Sequence, residues 1–516
     1  MRIKQIWFQI FYRFHKRRIH DSKEEHFGAP LIFLRELERA NSSFKRGISG
    51  NEFCFLNLSH TFQGRIDWNW IGHGKLWTYH LNYFEFLRDK DFQKETGEDL
   101  IAQYCSARNE IHDGMEPYPI SLRGINWIKF FLKYSIHKYD TFLYDQYLLL
   151  RRSLEYHLLG NHLLENAISL AFAGIYFNQK EWAAKAIKIL QSELEEQILD
   201  DGGHFELSPM YHSIILTRLA DLYSLMLSNP DASEDFNIMR DQLVNTLSAM
   251  GSWLSTFRFS NGDLAWVNDA SVSMMPANVD DILDYLDSLN IELAIGTLNS
   301  SGYRRINTGT YEMLIDVGAI GPEYLPGHAH ADSLNFILNW KGEALIVDTG
   351  ISTYKSNGTR RNERSTKAHN SISVCGENSS DVWASFRVGR RAKTKITRDT
   401  SNQISAIHSG FQHLGVEHSR TWMVKESTLS IKDELIGLVM NLSAQLYLHF
   451  PYHIKPAIEN NQVILPDVVI KFSSKSEIEV LMLEYEQAIE FNRVEKAKMV
   501  VVHFTGKITT TFTKAN

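Results

Sequence analysis

The chain has 516 residues, 44% of them hydrophobic and 22% charged, and a formal net charge of −7 from 54 Lys and Arg against 61 Asp and Glu. This excludes disorder as the main state and leaves room for two or three domains, at about 150 residues each, with sizeable cores. The acidic balance removes any bulk attraction to nucleic acid. Only 11 prolines exclude a Pro-rich or collagen-like architecture, and the scattered Cys54, Cys105 and Cys375 form neither a disulfide framework nor a thiolate zinc site. Aromatics make up 12%, which suits both large cores and sugar-stacking surfaces.

The chain opens with MRIKQIWFQIFYRFHKRRIH, in which Arg2, Lys4, Arg13, Lys16, Arg17 and Arg18 precede the first acid, Asp21. The apolar stretch is broken by Gln9 and closed by Arg13 without a small-residue cleavage site, so no secretory signal is expected. No run approaches about 18 apolar residues, so no membrane span is expected. A basic, aromatic helix over residues 1–20 fits either docking on the protein or lying on an anionic membrane. The resulting expectation is a cytoplasmic chain that keeps its N-terminus and touches, if anything, the inner face of a membrane.

Residues from about 65 to 295 read as helical. Apolar residues recur at helical spacing in LWTYHLNYFEFLRD, INWIKFFLKYSI, LLENAISLAFAGIYF, EWAAKAIKILQSELEEQIL and YHSIILTRLADLYSLML. Short Gly-, Asp-, Asn- and Pro-containing loops separate them. From about 303 the pattern becomes β-rich, with YEMLIDVG, SLNFILNW, EALIVDTG, NSISVCG, TLSIKDEL, QLYLHFPY, QVILPDVVIKF and KMVVVHFTGKITTTFT divided by turn residues. The expected architecture is an N-terminal segment over 1–50, an α/α toroid or incomplete barrel over 51–300, and an antiparallel β-sandwich over 301–516.

Chemistry-bearing residues concentrate in GHAHADSLNFILNWKGEALIVDTGISTY and RRNERSTKAHNSISV. His328 and His330 are two apart, which on an extended chain points one to each face. His330, Asp348 and His369 make a two-nitrogen, one-oxygen set that suits a divalent ion, zinc first. The alternative is polar histidines at loop ends. In the helical half, Asn161–His162 follows Gly160, and Tyr211–His212 follows Ser208–Pro209 at an expected helix start. Each pair fits capping, and a Tyr at a helix N-terminus also fits proton donation. Arg123, Asn126 and Trp127 in SLRGINW are sugar-contact candidates or core. Arg360, Arg361, Arg364, Lys367, Arg387, Arg390 and Arg391 form a local basic cluster able to draw a polyanion, or a solvated loop.

Taken in order, RIDWNW…LWTYHLNYFEFL, PYPISLRGINWIKFF, GNHLLENAISLAFAG, DGGHFELSPMYH, GHAHADSLNF, IVDTG…Y and KAHNSISV resemble the heparinase II/III-like polysaccharide lyases, a superfamily that includes alginate lyases. The resemblance covers roughly 50–460 and implies the same toroid-plus-sandwich fold. It implies that Asn161 and His162 neutralise a uronate carboxylate, with Asn166 the weaker competitor for Asn161. It implies Tyr211 as the catalytic acid, and as base too when both proton transfers occur on one face, His328 as the base for the opposite epimer, Tyr354 as a looser match to a second tyrosine used as base in the alginate-lyase branch, and His330, Asp348 and His369 as ligands of a structural zinc. The implied reaction is β-elimination on an acidic polysaccharide or oligosaccharide, without a nucleotide cofactor. Two other classes stay open. One is an α/α-barrel glycoside hydrolase drawing on Glu206, Asp263 or Asp269. The other is a non-catalytic glycan-binding or envelope-assembly protein.

Overall fold

A computed structural model describes residues 3–14, 25–29, 31–33, 35–37, 44–47, 50–90, 92–230, 235–439 and 442–515. Arg2, Lys16, Arg17 and Arg18 of the basic N-terminus lie outside the described residues. The chain divides into two units. The first comprises 1–198, 213–251 and 275–294, and the second 199–212, 252–274 and 295–516. The change of unit near 295 falls close to the expected boundary at 300. The two short segments 199–212 and 252–274 depart from it, because they pack with the β-rich half although they lie within the helical half of the sequence.

The first unit is built on helices. They are α1 (Ile3–Phe14), α2 (Lys75–Tyr83), α3 (Lys94–Ser106), α4 (Pro117–Tyr134), α5 (Asp140–Arg152), α6 (Gly160–Tyr176), α7 (Lys180–Gln197), most of α8 (Pro209–Ser228) and α9 (Asp235–Phe257), and α10 (Val279–Ser288). A small antiparallel sheet, β1 (Phe44–Gly47), β2 (Gly50–Phe55) and β3 (Leu58–Phe62), accompanies them. Local chemistry sets the helix ends. Pro117 and Pro119 sit in the first turn of α4, where a missing N–H costs least. Asn278 caps α10 by accepting from the Asp281 amide at 2.8 Å, and Asp280 and Asp281 complement the helix dipole.

α4 and α6 are buried on nearly every face, so they form the centre of this unit. That placement corrects the sugar-contact expectation for SLRGINW. Trp127 is fully buried among Phe84, Tyr104 and Phe142. The Asn126 amide donates to the Tyr83 carbonyl at 2.8 Å, and Arg123 donates to the carbonyls of Asn82 and Gly114 and to Gln146. These polar side chains satisfy buried carbonyls and do not reach solvent.

The second unit is all antiparallel. Its strands are β4 (Tyr303–Asn307), β5 (Tyr311–Asp316), β6 (Phe336–Trp340), β7 (Glu343–Ile346), β8 (Ile372–Val374), β9 (Asp381–Trp383), β10 (Arg387–Gly389), β11 (Thr394–Thr400), β12 (Gln403–His408), β13 (Val416–Lys425), β14 (Thr428–Gly437), β15 (Ser443–His449), β16 (Ala457–Glu459), β17 (Gln462–Ile464), β18 (Val468–Ser473), β19 (Glu479–Glu490), β20 (Arg493–Thr505) and β21 (Lys507–Lys514), with one short helix, α11 (Gly358–Glu363), before β8. An eight-stranded sheet runs β11-β12-β13-β14-β21-β18-β17-β16, and four-stranded sheets run β19-β20-β15-β8 and β4-β5-β6-β7.

Trp422, Leu429 and Ile431 of the large sheet share one core with Leu446, Leu448, Val500 and Val502 of the second and with Met313, Phe336 and Leu338 of the third. Facing sheets closing on one apolar layer make this a β-sandwich. Each fully buried aliphatic or aromatic side chain there contributes about 1.5–3 kcal/mol relative to exposure. β13 alternates buried with half-buried positions over most of its length, as a strand with one face on the core must, whereas all six residues of β5 are buried.

Candidate active site

The helix start at α8 presents Tyr211. Ser208 sits just before the helix, and its hydroxyl accepts from the Tyr211 amide at 3.4 Å and donates to the Asp269 carbonyl at 2.8 Å. The Tyr211 hydroxyl lies 3.1 Å from that of Tyr354, and its ring lies 4.2 Å from the His328 ring. Tyr211, Tyr354 and His328 therefore form one cluster, within the second unit throughout. His212, the neighbour of Tyr211, points elsewhere: it is fully buried against Trp253 and accepts from the His204 amide.

Asp269 organises this cluster. Its carboxylate is fully buried and meets four donors. The Arg360 guanidinium contacts both oxygens at 2.5 and 2.6 Å, His328 Nδ1 contacts Oδ2 at 2.8 Å, and His330 Nε2 contacts Oδ1 at 2.9 Å. A carboxylate offers about four lone-pair directions, so its capacity is filled. Burial alone would raise its pKa, but Arg360 and the two imidazoles hold it well below the usual range. A carboxylate only accepts, so His328 turns its Nδ1–H toward Asp269 and leaves Nε2 outside that contact. By the same logic His330 is protonated on Nε2.

The expectation that His328 and His330 face opposite ways is corrected here. A turn at Gly327–His328 interrupts the extended chain, and both rings converge on one carboxylate. Arg364 fixes that turn by donating to the Ala329 carbonyl at 2.9 Å and to the Ser385 carbonyl at 3.1 Å. Arg360 and Arg364 are each fully buried, one turn apart at α11, and both donate to the Ser385 carbonyl. They brace the cluster and are not available to a polysaccharide, which corrects their expected substrate contact. Arg390 and Arg391 are likewise engaged with backbone carbonyls. Of the basic cluster, Arg361, Lys367 and Arg387 remain exposed.

Burial pushes the Tyr211 and Tyr354 hydroxyls well above the usual tyrosine range, so both keep their protons at neutral pH. Arg360 lies over the Tyr354 ring at 5.0 Å. Phe386, 43% exposed, closes one side, 5.6 Å from the His328 ring and 5.2 Å from that of Tyr354. Neither Asp269 nor Phe386 stood out in sequence as part of this group. Asp269 was visible only as a spare carboxylate, and Phe386 belongs to no motif. As for the hydrolase alternative, Asp269 is saturated and Asp263 lies on an exposed turn against Asn261.

The expected metal ligands are neighbours without a shared focus. The His330 and His369 rings are 5.3 Å apart, and His369 Nδ1 meets Asp348 Oδ2 at 2.8 Å. Among the described residues, no three His, Cys, Asp or Glu side chains are arranged to hold a metal ion. Asp269 and Asp348 each occupy one nitrogen of an imidazole. His330 Nδ1 and His369 Nε2 remain buried without a hydrogen-bond partner. The position of Asp348 depends on Gly350, whose positive φ of 71° lets its amide donate to Asp348 at 3.2 Å. A Cβ at Gly350 would lie 2.6 Å from the Ala488 carbonyl oxygen.

In the first unit, Leu159 and Gly160 both adopt positive φ, 65° and 59°, and turn the chain sharply into α6. Asn161 and His162 thus occupy its first turn. His162 Nδ1 lies 3.3 Å from Glu155, and its ring lies 4.7 Å from that of Tyr118. Asn166 is fully buried and bonded to Glu155 and Ser121, and Asn161 is buried as well.

Comparison with known proteins places this architecture. The heparinase II/III N-terminus matches residues 129–289, and the heparinase II/III-like C-terminal region matches 293–507. The chain belongs to the heparinase II/III-like family. Within and around that family, it is 25% identical over 314 residues to a heparin-sulfate lyase of Bacteroides stercoris, covering 54% of this chain and 44% of the lyase. It is 23% identical over 290 residues to the FtsZ-localized protein C of Caulobacter vibrioides, covering 53% of this chain and 47% of that protein. The chain thus spans less than half the length of these relatives. A crystal structure of heparinase III superposes with a TM-score of 0.67 at 14% identity, covering 88% of this chain and 80% of that one. The fold class of this heparinase II/III-like chain is accordingly an α/α toroid followed by an antiparallel β-sandwich.

Proposed function

We propose that this chain is a polysaccharide lyase that cleaves a uronate-containing polysaccharide or oligosaccharide by β-elimination. The observation that carries the reading is the pairing of two protonated tyrosines, Tyr211 and Tyr354, with His328, whose Nδ1 is held by Asp269 and whose Nε2 stays outside that contact. His328 Nε2 takes the C5 proton of the uronate, and the electrons of that C–H bond form the C4–C5 double bond. The C4–O bond breaks, and the leaving oxygen takes the hydroxyl proton of Tyr211. Tyr354, 3.1 Å away, donates to the phenolate left behind. The C5 proton is acidic only when the adjacent carboxylate is neutralised. Asn161 and His162 are the proposed donors to that carboxylate, on the strength of their matched motif and of the Glu155 contact that orients His162. Phe386 offers an apolar face for a sugar ring.

A heparan-type chain leads the substrate panel because the named relatives include a heparin-sulfate lyase. We also propose a structural zinc ion held by His330, Asp348 and His369. Two buried imidazole nitrogens without partners, beside a carboxylate, supply the donor chemistry zinc takes. When bound, the ion would brace the segments that carry these residues.

The test is direct. The chain is incubated with heparan, chondroitin, hyaluronan and alginate polymers, and unsaturated product is followed by its ultraviolet absorbance. Absorbance growth on one polymer class is the expected result, whereas new reducing ends without it would establish hydrolysis. A second reading, a binding protein that keeps the fold, draws on the relative named for its location. Polymer binding without either product would establish that reading.

A further inference from the structure

We propose that α1 is a membrane-surface helix that docks this chain on anionic lipid through the face it turns away from the protein. The helix has two opposed faces. Gln5, Phe8 and Tyr12 lie together at helical spacing and hold the helix to the segment 154–158. Gln5 is buried and donates to the Leu158 carbonyl at 3.1 Å, the Tyr12 hydroxyl donates to the Leu154 carbonyl at 2.6 Å, and Phe8 stacks on Tyr156 at 4.7 Å. On the opposite side Ile3, Ile6, Trp7 and Ile10 are 86%, 45%, 56% and 54% exposed. A stripe of three isoleucines and a tryptophan left in water is costly unless something covers it.

Charge identifies the occupant. Six of the 54 basic residues and none of the 61 acidic ones fall within the first 20 positions, which leaves the rest of the chain at −13. This end is drawn to an anionic surface while the body is repelled from it, so one orientation is favoured. A second copy of the same helix would set like charges against each other. Trp7 adds the side chain that prefers the boundary between headgroup and acyl chain. The segment 154–158 under α1 leads directly into Asn161 and His162, so the lipid-facing helix braces the loop before a proposed substrate contact.

The experiment uses the full chain and vesicles of phosphatidylcholine with or without about 30 mol% phosphatidylserine. Sedimentation with the anionic vesicles is expected, weakened about tenfold in about 0.5 M salt. The double variant Trp7→Ser, Ile10→Ser should bind about tenfold more weakly with a nearly unchanged melting midpoint, since both side chains are more than half exposed and the Trp7 ring packs on Phe8 and Phe11 of its own helix. Should that variant melt early, an environment-sensitive fluorophore on Ile6→Cys, in a chain whose free Cys54, Cys105 and Cys375 are replaced by Ser, gives the same answer and should brighten only with anionic vesicles. No binding to anionic vesicles, equal binding by the variant, or self-association that the variant abolishes would each overturn the proposal.

Discussion

At the scale of single residues, the proposed chemistry depends on protons being held where the neighbours dictate. Tyr211→Phe removes one hydroxyl and nothing else, so the chain should fold normally and lose about 10²–10⁴ in kcat, the range of general acid–base catalysis. The rate of ultraviolet-absorbing product checks this, and near-normal turnover would move the acid role to another group. Asp269→Asn has a different signature. An amide cannot accept from all four donors, so His328 loses the partner that keeps its proton on Nδ1, and turnover should fall by about 10–100-fold or more. The same change leaves Arg360 buried without its counter-charge, which costs about 3–5 kcal/mol. Thermal melting should therefore register Asp269→Asn strongly and Tyr211→Phe weakly.

At the scale of elements, the proposed zinc residues come from three separate pieces of chain: the turn before β6, the end of β7 and the segment after α11. An ion there would tie these pieces together, so elemental analysis should find one divalent metal per chain. Chelation or His369→Ala should lower the melting midpoint, because metal-binding free energy is then part of folding free energy. Purified protein without stoichiometric metal would sink the assignment. Elsewhere the sandwich needs no metal to join its strands. His408 on β12 contacts His418 on β13 at 3.0 Å, and His418 contacts Asp433 on β14 at 2.6 Å. Arg420 meets the same carboxylate and also the backbone carbonyls of Leu334 and Asn370. This buried polar row crosses three strands with its carboxylate and imidazoles partnered, as burial requires.

At the scale of the whole molecule, these buried groups set the response to acid. Burial lowers His204 to about 3 and His449 to about 4, and holds His408 well below the ordinary 6.5 and His418 below it. The stability tied to them is fully present above pH 6.5 and is lost as pH falls toward the folded values. Burial also raises Glu165 and Glu363 to about 7, and these groups act in the opposite sense, since the folded state takes up their protons first. That gain is complete once pH falls below 4.5. Below 3.8 the unfolded chain protonates carboxyls such as Asp269 and Asp433, which Arg360 and Arg420 hold lower against the effect of burial. All terms then share one sign. Urea midpoints measured against pH should therefore fall between about 6.5 and 4.5, where the four lowered histidines outweigh the two raised glutamates, and more steeply below about 4, each group contributing up to about 1.4 kcal/mol per pH unit. A uniform slope would contradict this balance.

What could be read from the sequence alone was whatever local pattern specifies. Helical periodicity located the helices that carry Asn161 and Tyr211, and alternation located most strands of the sandwich. Motifs in order identified the family resemblance. Elements that the pattern did not mark include β4, β11 to β13, β19, α3, α5, α9 and α10; β11 and β19 are largely unburied, so no core face imposes a clean alternation on them. Tertiary structure alone decided which polar residues meet. It placed Arg123, Asn126 and Trp127 in the core, and turned Arg360 and Arg364 inward onto Asp269 and the backbone. It also drew His328 and His330 onto one carboxylate about 60 positions away in sequence. The physical reason is that periodicity reports which face of an element seeks apolar surroundings. A buried charge is settled only by the donor or acceptor that long-range packing brings to it.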